Sequence, residues 1–195
     1  RFVNASRRPS GWPGRPSPCQ TPRRPARRRR SGADRGRLEH APAFRRRQVL
    51  GVYAEHLVET VARVLAALGT VHALVVHSGD GLDEISISAP TLICEVRDGD
   101  LRTYEVTPEE LDVFSCPIED IAGGDAAHNA EIARAVLWGR GGAARHSIVY
   151  ANAGAALYVA GLAPSIRDGV AMAAEAIVSG NALAKMAELV RETNA

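Results

Sequence analysis

The sequence predicts an α/β fold, a partial mixed sheet with packed helices, preceded by a disordered segment rich in Arg and Pro. Three patterns carry this. Apolar positions at helical spacing (Leu57, Val61, Val64, Leu65, Leu68) run up to Gly69, a left-handed terminator, and residues 71–76 then form a short apolar run rich in β-branched side chains. Such a run suits a strand buried on both faces, so the two make an αβ step. Further on, two strand-like runs flank Asp98-Gly99-Asp100, and residues beyond 125 read as helices.

Taken in order, the helix over residues 52–68 and the strand over 71–76 are followed by a loop that holds Gly79, Asp80, Gly81, Asp83 and Glu84. Ile85-Ser86-Ile87-Ser88 alternates with period 2 and predicts a strand that Pro90 ends. Residues 91–96 and 101–106 predict an antiparallel pair around the Asp98-Gly99-Asp100 turn. Thr107-Pro108-Glu109-Glu110 has the form of an N-cap, a first-turn proline and a capping-box Glu, which predicts a short helix.

Asp125 follows Gly123-Gly124 as the N-cap of a helix over residues 126–137. Residues 147–160 are nearly free of charge and dense in small side chains, so this helix allows close backbone approach and belongs in the interior. Residues 166–179 and 182–190 give two more helices, with Gly180-Asn181 as a stop and restart.

Charge divides the chain. Residues 1–47 hold 15 basic residues, all Arg, against Asp34 and Glu39, while the remainder holds 9 basic and 20 acidic residues. The total of +2 therefore describes neither part. With seven of the eleven prolines as well, residues 1–45 cannot bury enough apolar surface to offset their ordering entropy and are expected to be disordered. We divide the chain accordingly, with residues 1–45 as a basic leader and residues 46–195 as the globular part.

The leader's Arg blocks (Arg23-Arg24 and residues 27–30) allow binding to phosphate backbones, but aromatic stacking partners are nearly lacking. Its prolines oppose the amphipathic helix of a transit peptide. Arg, Pro and Ala share GC-rich codons, and Lys185 is the only lysine, so we read the leader as a shifted frame in a GC-rich gene. Three scattered cysteines (Cys19, Cys94, Cys116) form no zinc pattern and fit a reducing cytoplasm. No apolar run approaches the ~20 residues of a membrane span.

Asp83 and Glu84 are the candidate metal ligands. Adjacent hard carboxylates at the carboxyl end of a buried strand suit Mg²⁺ carrying a polyphosphate. Gly139-Arg140-Gly141-Gly142 lacks the Lys-Ser/Thr of a phosphate loop and follows a helix, so it reads as a linker. His77 reads as structural. Neither Cys94 nor Cys116 has a histidine at nucleophile spacing, and no catalytic residue is assigned.

The runs Arg46-Arg47-Gln48-Val49-Leu50-Gly51-Val52-Tyr53, His77-Ser78-Gly79-Asp80-Gly81-Leu82-Asp83-Glu84-Ile85-Ser86, Gly123-Gly124-Asp125-Ala126 with Asn129-Ala130, and residues 155–163 together resemble anthranilate phosphoribosyltransferase. The resemblance implies the C-terminal portion of that family's α/β domain. It implies transfer of phosphoribosyl from phosphoribosyl pyrophosphate to anthranilate in tryptophan biosynthesis, with Mg²⁺ on the pyrophosphate and Asp83 and Glu84 as the metal pair.

The family's glycine-rich phosphoribosyl pyrophosphate loop, the lysine segment after it, the anthranilate-binding arginine and the helical dimerisation domain would all precede the matched region. Residues 1–45 contain nothing like them. The chain alone is therefore expected to be inactive and to lack the family's homodimer surface. The alternatives are a pyrimidine nucleoside phosphorylase-like enzyme, against which Gly81-Leu82-Asp83-Glu84-Ile85-Ser86 argues, and a nucleic-acid-binding protein using the Arg tail.

Overall fold

The computed structural model describes residues 46–194. The Arg/Pro-rich leader, expected to be disordered, lies outside the described residues. Four strands form one sheet in the order β1 (Arg47–Gly51), β2 (His72–Ser78), β3 (Thr91–Arg97), β4 (Asp100–Val106). β1 runs parallel to β2, while β2 with β3 and β3 with β4 are antiparallel, so the sheet is mixed as expected.

Helices lie on both faces. The first, α1 (His56–Ala67), joins β1 to β2 and packs Val58 and Ala62 on Ala73, Val75, Cys94 and Val96. Alternate residues of the same strands, Leu74, Val76 and Ile93, face Ala151, Ala155 and Val159 of α3 (Ala143–Ala160) and Val170 of α4 (Ile166–Val178). Neighbouring strand residues thus feed opposite cores, which is why residues 73–76 of β2 are an unbroken apolar run. Before and after that pair come α2 (Ala126–Leu137) and α5 (Asn181–Thr193).

The charge-poor helix does bring backbones together. A β-carbon on Gly154 of α3 would meet the Val170 nitrogen of α4 at 2.5 Å, and one on Gly169 would meet the Gly154 carbonyl oxygen at 2.3 Å. Only glycine fits at this crossing.

The Asp98-Gly99 turn is as expected: both residues have positive φ (52° and 95°), as a two-residue hairpin turn requires, and Arg97 pairs with Asp100. Asp125 caps α2 by accepting from the His128 amide at 2.8 Å. Gly139-Arg140-Gly141-Gly142 links α2 to α3 as expected.

Three expectations differ. Helix α1 starts at His56 rather than at Val52, because residues 47–51 form β1, which its polar start (Arg47, Gln48) conceals. Residues 85–88 are not a strand. Ile85, Ser86 and Ile87 are all buried, so no alternating face exists, and the Ser86 amide donates to the Thr91 hydroxyl instead of joining a ladder.

The third concerns residues 107–110. The capping box forms, with the Thr107 amide donating to Glu110 at 2.9 Å and the Glu110 amide to the Thr107 hydroxyl at 3.3 Å. Asp112 then turns left-handed (φ 60°), so residues 108–112 form a turn and the expected short helix is not made.

Candidate functional site

The loop carrying Asp83 and Glu84 rises from the carboxyl end of β2, beside the carboxyl end of its parallel neighbour β1. In open sheets ligands bind at such strand ends. Both side chains are exposed, while Ile85 immediately behind them is fully buried. The pair is presented to solvent from a backbone anchored in the core.

The anchors come from several elements. Ser78, the last residue of β2, donates its amide to the Leu82 carbonyl (2.9 Å) and its hydroxyl to the Glu84 carbonyl (2.7 Å). From α3, Asn152 accepts the Ile85 amide at 3.0 Å and donates to the Ile85 carbonyl at 2.9 Å. His77 Nδ1 donates to the Val52 carbonyl at 2.9 Å, tying the exits of β1 and β2 together, so it is structural here.

Asp80, the third carboxylate of the loop, has a different task. It accepts from the hydroxyls of Ser86 (2.5 Å) and Ser88 and from the Leu82 amide (3.2 Å). Burial raises its carboxyl, but these hydrogen bonds outweigh it and hold the group below the usual carboxylate range. Asp80 thus staples the loop and is not free to ligate.

The donor set that remains is two exposed carboxylates. Among the described residues no three His, Cys, Asp or Glu side chains gather into a metal-holding group. Two carboxylates fit Mg²⁺, which keeps several waters and takes substrate phosphates, and they do not fit Zn²⁺.

A cavity of about 460 Å³ lined by Arg47, His72, Arg97 and Tyr158 lies at the other end of the sheet, by the amino end of β2. Next to it, buried Glu95 accepts from His72 Nε2 (2.8 Å), Tyr158 (2.8 Å) and Tyr104 (3.1 Å). Burial, reinforced by Glu95, pushes both phenols above their ordinary value. With both carboxylate oxygens engaged by neighbouring side chains, this is a packing network, and sequence reading missed it because its members are scattered.

A family model described as "Glycosyl transferase family, a/b domain" matches residues 38–183. The chain belongs to this glycosyl transferase family. Within the family it is similar to the anthranilate phosphoribosyltransferases of Desulfatibacillum aliphaticivorans (48% identical over 152 residues, 78% of this chain and 45% of the relative) and Methanobrevibacter smithii (47% over 153 residues, 78% and 45%).

Solved members of the family share the fold. Anthranilate phosphoribosyltransferase from Thermus thermophilus superposes with a TM-score of 0.68 at 35% identity, covering 74% of this chain and 42% of that one. The Saccharomyces cerevisiae enzyme in complex with PRPP and Mg does so with a TM-score of 0.62 at 26% identity, covering 70% and 40%. The chain therefore spans less than half the length of these relatives. No helix among the described residues is long and apolar enough to cross a membrane.

Proposed function

We propose that residues 46–195 are the C-terminal portion of the α/β domain of an anthranilate phosphoribosyltransferase. The reaction is transfer of phosphoribosyl from phosphoribosyl pyrophosphate to anthranilate in tryptophan biosynthesis. The observation that carries this is the exposed Asp83 and Glu84 pair at the carboxyl ends of β1 and β2, in a chain nearly half identical to enzymes of that name.

The chain's own residues act on charge and position. Asp83 and Glu84 would hold the cation that neutralises the leaving pyrophosphate, and their anchored backbone would let them do so without reorganising during the reaction. Mg²⁺ supplies that neutralisation when bound. The aromatic amine forms its C–N bond to the anomeric carbon as the C–O bond to pyrophosphate breaks, and the displaced N–H proton passes to solvent or the departing pyrophosphate.

The 195 residues contain no glycine-rich phosphate loop of the family's kind, so they supply charge neutralisation without substrate positioning, which contributes about 7–11 kcal/mol to such barriers. We expect the chain alone to be inactive. The relatives named above support the transferase and not the phosphorylase, and the Arg-rich segment of the nucleic-acid reading lies outside the described residues.

The test is electron paramagnetic resonance of Mn²⁺ added to the purified chain. Binding that disappears in Asp83→Asn with Glu84→Gln supports the metal pair; binding unchanged by those substitutions rejects it.

A further inference from the structure

Asn152 sits alone among small side chains (Ala151, Ala153, Gly154, Ala155, Ala156) on α3. Asparagine is a poor helix former, since its amide competes for backbone groups, so its presence here calls for a local cause. The cause is Ile85. Its amide and carbonyl lie beside a fully buried side chain, and among the described residues Asn152 is the partner of both. A buried peptide group without a partner is destabilising, because it loses its hydrogen bonds to water and gains none in return.

The attachment has two points. Oδ1 takes the Ile85 amide and Nδ2 gives to the Ile85 carbonyl, while Nδ2 also bonds the Ile148 carbonyl one turn back at 3.0 Å, fixing the carboxamide plane. Two hydrogen bonds to one residue set its position and also its rotation. The residue so fixed directly follows Asp83 and Glu84. The Glu84 carbonyl is tied to β2 through the Ser78 hydroxyl, and among the described residues Asn152 is what couples the residue next to the pair to the helical layer.

We propose that Asn152 is a positioning residue: by clamping the Ile85 peptide it sets the direction in which Asp83 and Glu84 present their carboxylates to a divalent cation. This rests on the reading of that pair as metal ligands. A ligand set of only two carboxylates gains from a fixed geometry, because each must find the cation without a third protein ligand to orient it. Groups that orient metal ligands typically change affinity by about 10- to 100-fold.

The experiment uses the full chain, with Asn152→Ala, a change an alanine-rich helix accepts, and Asn152→Leu to fill the space should the first fail to fold. Two quantities are read: amide exchange at Ile85, with Val75 and Ile93 as core controls, and Mn²⁺ affinity, with Asp83→Asn as the reference for loss. The expected result is loss of Ile85 protection with the core amides unchanged, together with a fall in Mn²⁺ affinity of about tenfold.

Protection and affinity both equal to the unaltered chain overturn the proposal. So does a released Ile85 amide with unchanged affinity, which reduces Asn152 to a structural clamp. An unaltered chain that binds no Mn²⁺ overturns the metal reading and the positioning role with it, while exchange at Ile85 still reports the clamp.

Discussion

Gly51 and Asp83 meet backbone to backbone. A β-carbon on Gly51 would lie 1.6 Å from the Asp83 carbonyl oxygen, so the last residue of β1 and the first residue of the carboxylate pair occupy adjoining space that admits no side chain. The loop that carries Asp83 and Glu84 is thereby seated directly on the carboxyl end of a parallel strand.

Gly51→Ala must push the loop off that seat. Overpacking of this kind costs about 1–3 kcal/mol. The midpoint of urea denaturation is expected to fall accordingly, and Mn²⁺ affinity with it, because the displaced segment carries Asp83.

Asp80 links the loop to acid stability. Its carboxyl is held below the ordinary value of 3.8, so the folded state releases that proton more readily than the unfolded chain. Its contribution is present above that value and is lost as pH falls below it. Asp80→Asn is expected to lower stability at neutral pH and to flatten the decline below pH 3.8, both read from denaturation curves across the acid range.

The α3 and α4 crossing gives a second steric prediction. Gly154→Ala places a methyl 2.5 Å from the Val170 nitrogen, and Gly169→Ala places one 2.3 Å from the Gly154 carbonyl oxygen. Each is expected to cost about 1–3 kcal/mol by differential scanning calorimetry. Once one methyl has separated the helices the second costs less, so the double variant falls short of the sum.

At the opposite end of the sheet, Glu95→Ala leaves His72, Tyr104 and Tyr158 without their shared acceptor and is expected to cost about 1–3 kcal/mol for the buried donor left unpaired. The same network sets an alkaline limit. Tyr104 and Tyr158 hold their protons above the ordinary value of 10.0, so their contribution is intact below that pH and is lost as pH rises beyond it. Denaturation midpoints are expected to decline above pH 10, and less steeply in Tyr104→Phe.

Much of this architecture is legible in local chemistry. The Asp98-Gly99 turn, the Asp125 cap and the Gly180 break act within a few residues of themselves, and each stands where its sequence signature puts it. What escapes reading depends on distant partners. β1 exists because residues 47–51 pair with residues 72–76, and nothing in Arg47-Gln48-Val49-Leu50-Gly51 announces it.

Residues 85–88 mislead for the converse reason: their alternation imitates a strand, yet the serines are turned inward, Ser86 and Ser88 toward Asp80. At the site, Asp83 and Glu84 stand out through their glycine-loosened loop. Asn152 does not, since 67 residues separate it from Ile85 and a single asparagine in a helix has no spacing to read.

The central claim is that this segment carries the metal-holding half of a phosphoribosyltransferase site. A chimera in which residues 46–195 replace the matched segment of the Thermus thermophilus enzyme, assayed for Mg²⁺-dependent coupling of anthranilate to phosphoribosyl pyrophosphate, tests it most directly. The account predicts turnover that falls by about 10²- to 10³-fold in kcat/KM on Asp83→Asn with Glu84→Gln. A folded chimera that is inert, or one whose turnover is unchanged by those two substitutions, contradicts it.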